Sequence, residues 1–344
     1  MNFASIIWIF RQKSVTLHRI CTWSDMTNKE LYRDFCLRNS DLPIFMQDWW
    51  MDAVCAGKQW DVLLSLTPEG DIQAAMPYLL CKRMWMQFIV MPQQTQIGGI
   101  WFAPNVISNS EHIATICQDF TQQLANLGLS YYYQHFPILS PAPEHMQALG
   151  FNIKERVTYR IEDLSNLDQV INAFSKNKKR QLQKALSLHA DTNMNVEDFY
   201  RFHVQCLQEQ GKQISYSREF LLVLERKTSR LQQSQILSIC NADNEVLAAA
   251  FLVWDRHSMY YLIPCYAPAY KDSGASALLV LEAIKLARQK GVSFDFEGSM
   301  IRGMANHYKQ FGSTRTLYYS VEKYYKWWFW FANAWNWLRE RKMR

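Results

Sequence analysis

Apolar residues run from Trp60 to Leu66, give way to the polar turn Thr67-Pro68-Glu69-Gly70-Asp71, and resume from Ile72 to Cys81. A β-rich run, a Pro/Gly turn and a second apolar run together predict a hairpin. The pattern returns from Ser234 as SQILSIC, the turn NADNE and VLAAAFLVWDR, followed by a third strand, SMYYLIPCY. Helical periodicity comes after each hairpin, over residues 111–127 and again over 275–290, and it ends at Gly128 and Gly291. An aromatic-rich strand is next in both cases, LSYYYQHF and VSFDFEGS. Then MQALGFNIKERVTYRI and HYKQFGSTRTLYYSVE each predict a short helix closed by a glycine (Gly150, Gly312) and a strand.

Hairpin, helix, strand, short helix and strand, twice in one order, predict two homologous domains. Their expected limits are 15–161 and 162–322, with an extension over 1–14 and an aromatic and basic C-terminal helix over 323–344. The stretch from Asn166 to Arg230 contains a single glycine and no proline, so it is expected to be helical and to open the second domain. The fold class is α/β in the α+β sense, each unit a mixed, largely antiparallel sheet flanked by helices.

A chain of 344 residues exceeds what one core usually supports, in agreement with two domains. Hydrophobic residues at 49% and charged residues at 20% leave little that reads as disordered. The eight cysteines are scattered, with no CxxC pair and no Cys/His cluster, so reduced thiols in a cytoplasmic protein and no metal are expected. The run Ile6 to Phe10 is too short to span a bilayer and no cleavage site follows it, which argues against secretion and a transmembrane anchor. A net charge of +6 suits a phosphate-bearing partner but not DNA, whose binders carry stronger, clustered charge.

The segment FDFEGSM…HYKQFG, Phe294 to Gly312, with the helix GASALLVLEAIKLARQKG before it, resembles the acyltransferases called BioF2-like or FemAB-like, of the GNAT superfamily. The basic SKNKKRQLQKAL segment and the loop and helix start from Tyr270 to Leu279 support the resemblance, which extends over most of the chain. It implies tandem GNAT domains, the second holding acyl-CoA (acetyl-CoA or longer) as co-substrate. In that fold the donor's pyrophosphate meets backbone N–H groups where a central strand ends and a helix begins. Here the corresponding residues are Lys271, Ser273, Gly274, Ala275 and Ser276. Gly274 and Ala275 let the backbone approach phosphate, the serines donate hydrogen bonds, and Lys271 adds charge. The usual Q/R-x-x-G-x-G/A pattern is absent, and an ordinary N-capped surface helix is the alternative.

Asp295 and Glu297 alternate with Phe294 and Phe296, which sets both carboxylates on one strand face. Glu297 is the preferred acceptor of the attacking group's proton, with Asp295 beside it. Structural pairing with Arg302 or Arg180 is the alternative. His307 and Tyr308 are candidate general acids for the leaving thiolate, although FemAB relatives place a lysine where this chain has Tyr308. Arg180 and Lys179, in a basic run from Lys176 to Lys184, suit a phosphate of acceptor or donor, and Ser299 and Arg302 complete the expected substrate contacts.

The resemblance, carried onto these residues, implies transfer of an acyl group from acyl-CoA to an amine or hydroxyl of a small molecule or envelope precursor. Two alternatives stand beside it: an aminoacyl-tRNA-dependent transferase of the FemAB type, and a non-catalytic GNAT-like ligand-binding module. A tRNA partner calls for a broader basic surface than +6 supplies. The tryptophan-rich segment 324–344, with its basic end, fits either docking across the two domains or peripheral contact with the inner face of a membrane.

Overall fold

The computed structural model describes residues 26–55, 57–298, 300 and 302–326, with Arg302 by its backbone alone. Ser299, the extension 1–14 and nearly all of the segment 323–344 therefore lie outside the described residues. Helices α1 (Asn28–Arg38) and α2 (Asp48–Val54) come first, α1 opened by a capping box between Thr27 and Glu30. The strands β1 (Gln59–Leu66), β2 (Ile72–Arg83) and β3 (Met86–Val90) then form an antiparallel meander, with the short β4 (Trp101–Phe102) on β2. Helix α3 (Ser110–Asn126) crosses to β5 (Tyr131–His135), which lies parallel to β3, and α4 (Ala142–Ala148) leads to β6 (Asn152–Ile161).

The second half opens with the expected helices: α5 (Leu167–Asn172), α6 (Lys176–Lys184), α7 (Val196–Glu209) and α8 (Arg218–Arg230). One short edge strand, β7 (His189–Asp191), interrupts them and pairs with β8 (Ser234–Cys240). From β8 the first-half order repeats: β9 (Val246–Trp254), β10 (Ser258–Tyr266), α9 (Ala275–Lys290), β11 (Ser293–Asp295) parallel to β10, α10 (Arg302–Lys309) and β12 (Thr314–Tyr324). Helix α9 ends where the periodicity predicts, because Gly291 takes a left-handed conformation and Val292 N–H closes on the Ala287 carbonyl.

The twelve strands among the described residues join one sheet in the order β1-β2-β3-β5-β12-β6-β11-β10-β9-β8-β7, with β4 off the path. The two halves thus exchange their last strands: β12 pairs with β5 of the first half, and β6 pairs with β11 of the second. β6 and β12 themselves pair from Thr314 with Arg160 to Glu322 with Asn152, forming the seam. One sheet face is covered by a core that both halves share, in which Trp50, Phe45, Phe199, Leu221 and Phe251 are fully buried. Phe45 meets Tyr260 across the seam at 4.6 Å between ring centroids. Separate cores lie under α3 and α4 and under α9 and α10.

No helix among the described residues is long and apolar enough to cross a membrane, and no cluster of His, Cys, Asp or Glu among them could hold a metal ion. The seven described cysteines are free thiols.

Candidate functional site

The parallel strands β10 and β11 pair only from Ser258 with Ser293 to Tyr260 with Asp295. Beyond that point β10 shifts register against β9 between Tyr260 and Ile263 and continues to Tyr266, while the chain after β11 turns away. The two strands diverge, and the divergence opens beneath the N-terminus of α9. A cavity of about 350 Å³ occupies it, walled by Leu247, Tyr261, Pro264 and Leu279, by Gly303, Met304, His307 and Tyr308 of α10, and by Lys178 and Gln181 of α6.

The equivalent place in the first half is filled by the chain itself. β3 and β5 pair at Phe88 with Tyr131 and Ile89 with Tyr132, after which residues 96–98 lie along the end of β5. There Gly98 N–H donates to the His135 carbonyl at 2.7 Å, and His135 Nδ1–H donates to the Gln96 carbonyl at 2.8 Å. Gly99 presses so closely on Phe136 that a Cβ would sit 2.6 Å from its ring. Only a residue lacking Cβ permits that approach.

Of the residues expected to hold a donor, Lys271, Ala275 and Ser276 line the open cavity. Ser273 turns its hydroxyl inward, donating to the Tyr270 carbonyl and accepting from Ala275 N–H. Gly274 has φ +86°, and a Cβ there would meet the Gln181 carbonyl at 2.1 Å, so its small size seats α9 on α6. The amides of Gly274 and Ser276 donate to no acceptor among the described residues. They are left available at a helix N-terminus, where an anion is favoured.

The basic run divides differently from its sequence-based expectation. Arg180 is exposed and donates to Asn177, and Lys179 reaches back to the Asn172 carbonyl, so neither lines the cavity. Lys178 does: it is 2% exposed and donates to Gln181 Oε1 at 3.0 Å. Its ammonium also stands 3.3 Å from His307 Nδ1 and 4.6 Å from the Phe311 ring centre. The sequence carried a signal for it, because Lys178, Leu182 and Ala185 recur at helical spacing on the inner side of α6 and the turn that follows it. Burial lowers Lys178 to about 8. Burial and then the Lys178 charge lower His307 to about 4, so its ring is neutral near pH 7. Tyr308, stacked on Phe296 at 4.7 Å, is pushed up to about 12 by burial and then by Glu297 and Asp295.

Neither carboxylate lines this cavity. The expected strand VSFDFEGS is shorter than its alternation suggests. β11 ends at Asp295, and Glu297 has φ +63° with its N–H folded back on Asp295 Oδ1 at 2.7 Å. A local side-chain turn has replaced the ladder. Asp295 is 1% exposed and also accepts from Thr158 and Gln96, which ties β11 to β6 and to the first half. Its ionic partner is Arg160, 3.6 Å from Oδ2 without hydrogen-bond alignment, rather than Arg180, while the Arg302 side chain lies outside the described residues. Burial is the largest influence on Asp295 and raises it to about 6. Glu297 keeps part of its surface, but Oε1 is enclosed with no donor, and burial followed by the Asp295 charge raises the group well above the usual range.

A raised carboxylic acid holds its proton when folded and loses it when unfolded, so its contribution falls as pH climbs above the unfolded value near 4.5. Glu297→Gln is expected to flatten the decline of melting temperature between pH 5 and the folded value, which thermal denaturation across pH measures.

Residues 157–310 match the family described as Acetyltransferase (GNAT) domain. No curated protein sequence matches the chain. Among solved structures, FemX is similar in fold with a TM-score of 0.64 at 12% identity, over 86% of this chain and 96% of its own. A conserved protein of unknown function from Bacteroides thetaiotaomicron reaches 0.55 at 10% identity, over 87% and 97%. A tandem GNAT protein from the clavulanic acid biosynthesis pathway reaches 0.50 at 11% identity, over 78% and 84%. At these identities the similarity is one of fold. Diverging parallel strands and a helix N-terminus with undonated amides thus lie within the stretch 157–310 that matches the Acetyltransferase (GNAT) domain family, and the chain shares the fold of FemX and of the tandem GNAT protein.

Proposed function

We propose that the chain transfers an acyl group from a thioester donor of the acyl-CoA type to an amine or hydroxyl acceptor, with the donor held between β10, α9 and α10. The observation that carries this reading is that, of two equivalent strand divergences, one is plugged by residues 96–99 and the other is open beneath the N-terminus of α9. Free amides at Gly274 and Ser276, with Lys271 beside them, suit a pyrophosphate. The apolar wall of Leu247, Pro264 and Leu279 suits the acyl chain, and 350 Å³ leaves room for more than an acetyl group.

The acceptor attacks the thioester carbonyl, a C–N or C–O bond forms, and the C–S bond breaks. Lys178, charged below pH 8, supplies positive charge for the oxyanion. Tyr308 keeps its proton well above neutrality and delivers it to the departing sulfur. The acceptor's own proton leaves to solvent, since Glu297 lies off the cavity and already holds a proton. In this reading Arg180 and Lys179 serve outside the cavity, where they favour the approach of an anionic substrate.

Thiol release from a panel of acyl-CoAs, with amine and hydroxyl acceptors added, tests the reading. Tyr308→Phe is expected to lower turnover about 100-fold while leaving donor affinity within a factor of two or so. Absence of calorimetric binding by every acyl-CoA would overturn it. The exposed cations of α6 beside the cavity favour a second reading, an aminoacyl-tRNA donor, which salt-sensitive tRNA binding without CoA binding would support.

A further inference from the structure

The hairpin between β2 and β3 turns through two residues, Met84 and Trp85, beyond the last paired residues Arg83 and Met86. Two-residue hairpins favour Asn-Gly or Asp-Gly, because their twist demands positive φ where a bulky side chain is strained. Here Met84 takes φ +55°, and the pair is 78% and 73% exposed. The tip is therefore a poor choice both for the turn and for water. Lys82 and Arg83, both exposed, flank it.

Strand β12 ends at the same end of the sheet. Ser130 N–H donates to the Gln87 carbonyl and Tyr325 N–H donates to the Ser130 carbonyl, so the hairpin end lies beside the exit of β12. From that exit the sequence continues over 327–344 with five tryptophans and two phenylalanines, then Arg339, Arg341, Lys342 and Arg344 against the single acid Glu340.

We infer that this end of the sheet docks on an anionic lipid surface, with Met84 and Trp85 inserted at the headgroup level and Lys82 and Arg83 against the lipid phosphates. Tryptophan prefers that interface, and flanking cations are attracted to anionic leaflets. A narrow convex tip offers little area to a rigid protein partner, whereas a deformable bilayer closes around it. This inference is independent of the transferase reading.

The test is sedimentation of the full chain with phosphatidylcholine vesicles with and without phosphatidylglycerol. The double variant Met84→Gly, Trp85→Asn places glycine at the position of positive φ, so its melting temperature should hold or rise. Its partitioning onto phosphatidylglycerol vesicles should fall at least about tenfold. Arg83→Glu should weaken binding to those vesicles alone, and added salt should weaken the unmodified chain in the same way. Equal sedimentation of the double variant, failure of the unmodified chain to sediment, or a lipid-free dimer that the double variant abolishes would each overturn the inference.

Discussion

Gly274→Ala is expected to destabilise the chain by about 2–4 kcal/mol and to weaken donor binding at least about tenfold. The added methyl would stand 2.1 Å from the Gln181 carbonyl and 3.2 Å from Ala185 Cβ, and φ +86° is unfavourable to alanine in any surroundings. Relief requires α9 to lift from α6. That movement displaces the amides of Gly274 and Ser276 and the ammonium of Lys178 together, since all belong to those two helices. Denaturant titration reads the first effect and calorimetry with an acyl-CoA the second. A variant with unaltered donor affinity would show that the α6–α9 contact does not shape the site.

Lys178→Met is expected to make the protein more stable and less active. The lysine's value falls from 10.5 to about 8, so between those limits the folded chain binds fewer protons than the unfolded one. Stability therefore rises with pH across that window, and the penalty is in full force below pH 8. Removing it should yield about 1–3 kcal/mol at pH 7, less than the whole shift because the contacts with Gln181, His307 and Phe311 go too. Turnover should fall about 100-fold if the ammonium stabilises the oxyanion. The unmodified chain should lose activity as pH rises through 8, and the variant should lose that limb, which a rate profile in pH displays.

Much of the fold could be read in the chain because its two halves carry one pattern. Helix α9 falls on its predicted residues, and the glycines at 128, 150, 291 and 312 mark turns of positive φ as expected. Pairing across the seam was not legible, since periodicity reports which face of a strand is buried but not which strand lies beside it. At the site, the helix start at 271–276 was visible from its Gly and Ser residues. Lys178 was not distinguished from Lys179 and Arg180, whose charges look alike in sequence; the phase of α6, set by Leu182 and Ala185, separates them. Alternation at Phe294 to Glu297 implied a longer strand because Asp295 can satisfy the Glu297 amide with its own side chain, a choice the apolar pattern does not record.

The exchange of β6 and β12 orders events during synthesis. β6 is made before any of its second-half neighbours and waits for β11 to arrive, so the half that contains the open cavity assembles on a strand already present. β5 too must keep a bare edge through the production of every residue up to 320, because β12 covers it only with Ser320 to Tyr324. An exposed edge of that duration invites pairing with foreign strands, and a nascent chain stalled inside the second half would present it to the cell uncovered.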